Sequence, residues 1–429
     1  MLAKIPLKFS QLRNIGSVLA ANVFNNLTSF LITVFAARVL GPQEFGILAV
    51  AITITLLFSL FTDFGLNTAL VRLYNAKAES EECELLPTIV GWKLLLVIVV
   101  IPAAFMLKHA AVFFFPNFAG YGNLLYFSFV SGALLSLWST IRAVEQARRE
   151  FTVFTRYTLA YGLLRIMSAG FLMATGKFSA LGVLFALYAA PLTALMFYGW
   201  HSRCKTLWPS IIKTPPGIKL FILKRAFSYS FWVAISGINF TLLARVPQFT
   251  LGRSGYLEQV GLYSAGLTFI AVFSLLNEAV RTVLLPDVAT LNKEEGRQAF
   301  RKKLAAGTPL FFMGGLIALA AMSLLQLYAL GEAYSASVYV FIVLGAATMV
   351  TMYTGFYNLL VHSYGIPSLE AGVNIARVGT LVVLSWMLPS TAISAAFAYA
   401  SVLVAGELLL YVLVKQRGSR QAGALSQPD

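Results

Sequence analysis

Charge is what this sequence has least of. Asp, Glu, Lys and Arg make up 11% of its 429 residues, against about a quarter in a soluble domain. Acids are scarcer than bases, 17 against 32, which leaves a net charge of +15. Only two cysteines are present, Cys83 and Cys204, too few for a disulfide framework. Three histidines and no Cys/His cluster at ligand spacing give no metal site, and no cofactor motif is visible. Alternating apolar/polar strands of about ten residues are absent, which argues against a β-barrel. No short, positively flanked segment with a small-residue cleavage site precedes the first apolar run, so that run is expected to act as its own insertion signal.

Apolar residues fill the space that charge leaves. The chain is 59% hydrophobic with a mean hydropathy of +0.78, the composition of an all-α polytopic membrane protein. A helix needs about 20 apolar residues to cross the hydrocarbon core. On that rule about twelve transmembrane spans are expected, near 12–38, 45–72, 88–107, 122–144, 154–175, 178–200, 226–250, 259–286, 304–328, 336–361, 367–388 and 391–414.

Bases concentrate on alternate connections. One side holds Lys4, Lys8 and Arg13, then Arg72, Lys77 and Lys93, then Arg142, Arg148, Arg149 and Arg156. It continues with Arg203, Lys205, Lys213, Lys219, Lys224 and Arg225, with the group from Lys293 to Lys303, and with Lys415, Arg417 and Arg420. The opposite connections hold only Arg38, Lys108, Lys177 and Arg253. The positive-inside rule makes the rich side, and both termini, cytoplasmic, with both cysteines in the reducing compartment. Much of the net charge is thus topology signal and attraction to anionic lipid, not a nucleic-acid footprint. The longest connection, 201–225, is basic and contains Pro209, Pro215 and Pro216. It reads as a cytoplasmic linker between an N-terminal lobe, 1–200, and a C-terminal lobe, 226–415, with a disordered tail at 416–429.

An internal repeat supports two lobes. The stretch RVLGPQEFGILAVAITITLLFSLFTDFGLNTALVR, Arg38 to Arg72, returns in weakened form from Leu251 as LGRSGYLEQVGLYSAGLTFIAVFSLLNEAVRTVLLPD. A shift of 215 residues aligns Gly46 with Gly261 and Thr53 with Thr268. It also aligns Phe58-Ser59-Leu60 with Phe273-Ser274-Leu275, and Asp63 with Glu278. A repeat at half the chain length is a feature of transporters built from two homologous halves.

Charges inside spans are costly and face a cavity or a partner. Arg165 shares a helix face with Tyr157 and Tyr161, and Arg245 with Thr241 and Gln248. Arg377 shares one with Asn374 and with Glu370, the acid placed to neutralise it, while Arg281 lies three residues from Glu278. These arginines read either as a cationic cavity or as private ion pairs and snorkelling side chains. Span 1 carries a polar stripe of Asn22, Asn25, Asn26, Ser29 and Thr33, and Asn26-Leu27-Thr28 is echoed by Asn239-Phe240-Thr241 in span 7. Such stripes line cavities or glue helices. Pro247 is expected to kink span 7 near Leu243. Asp63, in line with Ser59 and Asn67, is a coupling candidate, as a proton or cation relay, or a structural partner for a nearby arginine. Glu278 is a further coupling candidate, and Glu407 and Glu145 are weaker ones. Tyr353 and Tyr357 read as packing or as cavity lining.

The segments ARVLGPQEFGILAVA, DFGLNTALVR and VGLYSAGLTFIAVFSLLNEAVRTVLLPDVATL, with the following EEGRQAFRKKL, carry a family likeness. On them the chain resembles the polysaccharide-exporting branch of the MOP superfamily, the Wzx-type lipid-linked oligosaccharide flippases. The resemblance implies two six-helix lobes around a central cavity in a bacterial inner membrane. It implies alternating access that moves an undecaprenyl-diphosphate-linked oligosaccharide from the cytoplasmic to the periplasmic leaflet without chemistry. It also implies polysaccharide polymerase and assembly proteins as partners. A cationic cavity for the diphosphate is a family feature, to which we assign Arg245, Arg165 and Arg377 with Asn26, Asn239, Thr241 and Gln248. A cation-coupled drug exporter of the related MATE type is the alternative; it calls for an acidic cavity, whereas the deep charges here lean basic. A membrane glycan polymerase or glycosyltransferase calls for a large outer loop or an acidic metal–nucleotide motif, and neither is visible.

Overall fold

The computed structural model describes residues 9–75, 79–199, 216–289, 294–358 and 367–424; within these, the side chains of 9–15, 75, 79–84, 197–199, 216–219, 229, 232, 233, 236, 240, 274–301, 303, 304, 356–371 and 414–424 lie outside the description. Every regular element among the described residues is helical. In chain order these are α1 (Phe9–Asp63), α2 (Leu66–Asn75), α3 (Glu79–Phe114), α4 (Gly122–Ala147) and α5 (Phe151–Ala174). There follow α6 (Ala180–Leu184), a π-turn (Phe185–Ala189), α7 (Ala190–Gly199), α8 (Pro216–Arg253) and α9 (Leu257–Ala289). The series ends with α10 (Glu294–Leu330), α11 (Ser335–Asn358), α12 (Pro367–Met387) and α13 (Ala392–Ala424). The last helix thus enters the tail whose composition suggests disorder.

These helices stand on the twelve expected spans. The first apolar stretch, Gly16–Asp63, is 48 residues long, twice what one crossing needs. Gly41 divides it: its φ of 75° and ψ of 170° are non-helical, and Pro42 follows at the start of the next helical run. Glycine bears a positive φ without steric cost, and proline suits a first helical position because its missing N–H has no helical acceptor there. Two spans depart from expectation. The second is not one helix, because Phe64 and Gly65 (φ 47° and 71°) interrupt it between α1 and α2. The sixth is broken by the π-turn. Span 7, by contrast, runs on through Pro247 as the single helix α8.

The chain divides into two compact units, Met1–Ala36 with Val50–Ile238, and Ala37–Ala49 with Asn239–Asp429. The division falls inside α8; residues 201–215 of the expected linker lie outside the described residues. In the first unit, Leu66, Ala69 and Leu70 of α2 pack with Leu85, Leu86, Ile89 and Val90 of α3. Ala143 and Val144 of α4 and Ile222 and Ala226 of α8 complete that cluster.

The segment Ala37–Ala49 belongs to the second unit for identifiable reasons. Arg38 donates to the carbonyls of Tyr328 and Ala329 (3.4 and 3.2 Å) in the last turn of α10, where a cation meets the negative end of the helix. Tyr334 donates to the carbonyl of Ala37 at 2.7 Å. Gly46 lies so close to α9 that a Cβ there would stand 1.9 Å from the Leu257 carbonyl oxygen. A Cβ on Gly261 would stand 1.9 Å from the Pro42 carbonyl oxygen. Pro42 and Leu257 are themselves one repeat apart, so the two contacts are the same contact seen from each copy.

Large apolar side chains point outward on the long helices. Ile98, Met106 and Phe113 of α3, Leu324 of α10 and Trp386 of α12 are all more than 65% exposed. A surface of that kind is suited to lipid, while the backbone polar groups are satisfied within the helices.

Candidate functional site

In the first unit, two buried bases and one half-buried base stand on three different helices. Arg165, in the middle of α5, is 5% exposed and spends its donors inside the unit. Its Nε donates to the Leu187 carbonyl at 2.8 Å, one Nη to the Tyr161 hydroxyl at 2.6 Å, and the other to Asn25 Oδ1 at 3.4 Å. The Tyr161 hydroxyl donates to the same Leu187 carbonyl at 3.1 Å, and the guanidinium lies 3.9 Å above the Tyr161 ring. The reason is local. Leu187 sits in the π-turn, and the residue four places on, Pro191, has no N–H to offer its carbonyl. Arg165 and Tyr161 supply the missing donors. Arg142 of α4 donates to Asn22 Oδ1 at 3.2 Å and lies over the Phe154 ring. The polar stripe of span 1 therefore meets two arginines of its own unit through Asn22 and Asn25, while Asn26 is exposed.

The third base corrects the sequence reading. Lys93 is not a connection residue; it lies within α3 and is 1% exposed. Its Nζ is 2.8 Å from Asp63 Oδ1, and it also donates to the Thr62 carbonyl (2.9 Å) and to Ser136 Oγ (2.7 Å). Asp63 is thus paired in this structure, with a lysine rather than an arginine. Asn67, beyond the helix break, donates to Ser139 Oγ and accepts from Thr140, so it ties α2 to α4.

In the second unit, Leu243 and Val246 of α8, Leu381 of α12, and Ala398 and Val402 of α13 form one apolar cluster, on the helices that carry Arg245 and Arg377. Arg245 is half-buried on α8 and donates to Gln248 Oε1 at 3.2 Å. Gln248, 1% exposed, donates in turn to Ser264 Oγ of α9 at 2.7 Å. Thr241 and Asn239 are half-buried on the same helix. Arg377 of α12 is 7% exposed; it donates to Asn374 Oδ1 at 2.9 Å, and an Nη stands 3.2 Å from Glu407 Oε1 of α13. Its acid is therefore Glu407, on another helix; the side chain of Glu370 lies outside the described residues. Arg377 lies flat on α13 because residue 406 is glycine: a Cβ there would meet Nε at 1.9 Å. Tyr399, packed on the same cluster, stands within the electrostatic reach of both Arg377 and Arg245.

The side chains of Glu278, Arg281 and Tyr357 lie outside the described residues. Tyr353 packs against Phe311 and Phe312 and bonds Thr308. No group of three His, Cys, Asp or Glu side chains suited to a metal occurs among the described residues. Sequence reasoning missed Lys93, although its place six residues inside an apolar run was visible. It also missed the Arg165–Leu187 contact, for which Pro191 was the available signal.

Comparison with known proteins gives the family. Among curated proteins none matches the chain by sequence. Solved structures share its fold. A structure described as lipid II flippase MurJ in an inward closed conformation aligns at TM-score 0.68 and 18% identity, over 93% of this chain and 87% of that one. An inward-facing multidrug resistance MATE family transporter of the MOP superfamily aligns at 0.65 and 12%, over 92% and 95%. A MOP superfamily transporter from Pyrococcus furiosus aligns at 0.59 and 13%, over 97% and 96%. These identities establish a shared fold alone: an all-helical, multi-pass membrane architecture of the MOP type. The sequence model described as "Polysaccharide biosynthesis protein" matches residues 11–292, well over half the chain, and so the chain belongs to the polysaccharide biosynthesis protein family, with a fold it shares with solved MOP superfamily transporters.

Proposed function

We propose that this protein flips an undecaprenyl-diphosphate-linked oligosaccharide, a repeat unit of O-antigen or another surface polysaccharide, from the cytoplasmic to the periplasmic leaflet. The membership over residues 11–292 is the observation that carries this reading, because it joins polysaccharide biosynthesis to a transporter fold. The process is translocation by alternating access and makes or breaks no covalent bond. The site is the bacterial inner membrane, with both termini cytoplasmic on the distribution of Lys and Arg; polymerase and assembly proteins are the natural partners. Carrying a diphosphate and sugars across about 30 Å of hydrocarbon needs a polar lining.

Arg245, Arg165 and Arg377 are the head-group candidates, with Asn26, Asn239, Thr241 and Gln248. Arg165 is engaged with Leu187, Tyr161 and Asn25, and Arg377 with Asn374 and Glu407. Arg165 and Arg377 are buried, which suits them to shaping the site; Arg245, bonded to Gln248 but only half-buried, leads for direct contact. Its fork binds a phosphate bidentately, which a lysine cannot do. Of the proposed coupling acids, Asp63 and Glu407 are ion-paired here with Lys93 and Arg377, and Glu278 is the third. The MATE-like drug-exporter reading is weaker, since the buried charges of both units lean basic. The test is export of lipid-linked glycan in cells that lack their own flippase. Arg245→Ala should accumulate normally and fail to export, and Arg245→Lys should recover only part. Wild-type export by Arg245→Ala overturns the assignment.

A further inference from the structure

The inner part of span 2 is a broken membrane helix. After Asp63 the chain takes two left-handed residues, Phe64 and Gly65, and re-enters a helix at Leu66. A helix that stops this way presents carbonyl oxygens without N–H partners and the negative end of its dipole. In discontinuous membrane helices such ends coordinate cations. Here three oxygens converge on one point: the Thr62 carbonyl at the helix end, the Asp63 carboxylate beside it, and Ser136 Oγ from α4. The atom at that point is Lys93 Nζ, at 2.9, 2.8 and 2.7 Å. An ammonium has three N–H donors and no acceptor, so its capacity is filled by these oxygens. Lys93 itself is 1% exposed, while the Asp63 side chain on the other side of the pair is 16% exposed.

We propose that the broken end of span 2 is a monovalent-cation site whose permanent occupant is the Lys93 ammonium. The first unit holds its helix break with a tethered cation, where a diffusible ion would otherwise be needed. Asp63 and Lys93 then form a fixed neutral pair, and ion dependence of transport, if present, belongs to other acids. The reasoning stands on the geometry of one unit and does not need the flippase reading to be right.

Truncation of the lysine tests it. Lys93→Ala removes the three outer methylenes and the nitrogen, which is the volume and charge of n-propylammonium. Purified Lys93→Ala should melt several degrees below wild type in a buffer whose only cation is choline, which is too bulky for the site. Sodium or n-propylammonium at tens of millimolar should restore at least half of that loss and leave wild type unmoved. Adding Asp63→Asn to Lys93→Ala should abolish the response to cations. If Lys93→Ala is too unstable to purify, the neutral pair Lys93→Met with Asp63→Asn should accumulate where Lys93→Met alone does not, because it leaves no lone buried charge. The proposal is overturned if Lys93→Ala melts like wild type, if neither cation restores it, or if the neutral pair accumulates no better than Lys93→Met.

Discussion

Two stretches one repeat apart, Pro42 to Gly65 and Leu257 to Val280, begin alike and end differently. At the start, Gly46 rests on the Leu257 carbonyl and Gly261 on the Pro42 carbonyl, each at a distance that admits no Cβ. At the end, Phe64 and Gly65 break the first copy, while the aligned Ala279 and Val280 lie inside an uninterrupted α9. The first copy carries a buried Asp63–Lys93 pair at its break. The residue one repeat on from Lys93 is Thr308, which bonds Tyr353 instead. Symmetry is kept where the two copies touch each other, since a change in either glycine disturbs both. It is lost where each copy meets its own surroundings, since nothing couples a change there to the other half.

The glycine crossing is where a substitution should do most. Gly46→Leu or Gly261→Leu drives a side chain into a backbone carbonyl, which cannot move as a flexible side chain can. Each single variant should lose most of its folded, membrane-inserted protein, measured as monodisperse yield after solubilisation. The milder Gly46→Ala and Gly261→Ala should each lower the melting temperature by a similar amount. Their combination should cost much less than the sum, because one separation of the helices makes room for both methyls. Full additivity would show that the two contacts are independent and that the reciprocity is incidental.

Exchange of the residues that differ sharpens the other end of the comparison. Gly65→Val puts a β-branched residue at φ 71° and places its Cβ 2.8 Å from the Ser230 carbonyl oxygen. The left-handed backbone alone costs about 1–2 kcal/mol, and a branched side chain there is a true outlier. Val280→Gly weakens a helix without breaking it, because a single interior glycine costs about 1 kcal/mol. Gly65→Val should therefore lower the melting temperature more than Val280→Gly does. The reverse order would mean that the break in span 2 is not held by Gly65.

Much of this architecture was legible in order and composition. The twelve spans follow from apolar run length, and the repeat follows from Gly46, Gly261 and the aligned Phe-Ser-Leu triplets. The buried partners were less legible. Lys93 looked like a connection residue because bases near span ends usually mark topology, and only its packing against α1 and α4 reveals otherwise. Glu407, which stands beside Arg377, comes from α13, and no spacing rule links residues on different helices. The break at Phe64–Gly65 was hidden by an apolar run that continues through it, although a glycine two residues after an aspartate was its trace.

The smallest effect expected is also the one that separates glue from lining along span 1. Asn25 and Asn26 are neighbours on α1, but only Asn25 turns to a partner within the unit, accepting from Arg165 at 3.4 Å; Asn26 is exposed. A hydrogen bond from a charged donor contributes about 1.5–3 kcal/mol, and the long distance puts this one at the low end or below. Asn25→Ala should lower the melting temperature slightly and reduce transport only as far as it reduces the amount of protein. Asn26→Ala removes no side-chain hydrogen bond to the other described residues and should leave stability within about 0.5 kcal/mol. If Asn26 meets the glycan or its diphosphate during transport, export per molecule should fall in Asn26→Ala and not in Asn25→Ala. Equal export per molecule by the two variants would assign the whole stripe to helix packing, and the polar lining would then have to come from the second unit, where Asn239, Thr241 and Gln248 stand on the same helix as Arg245.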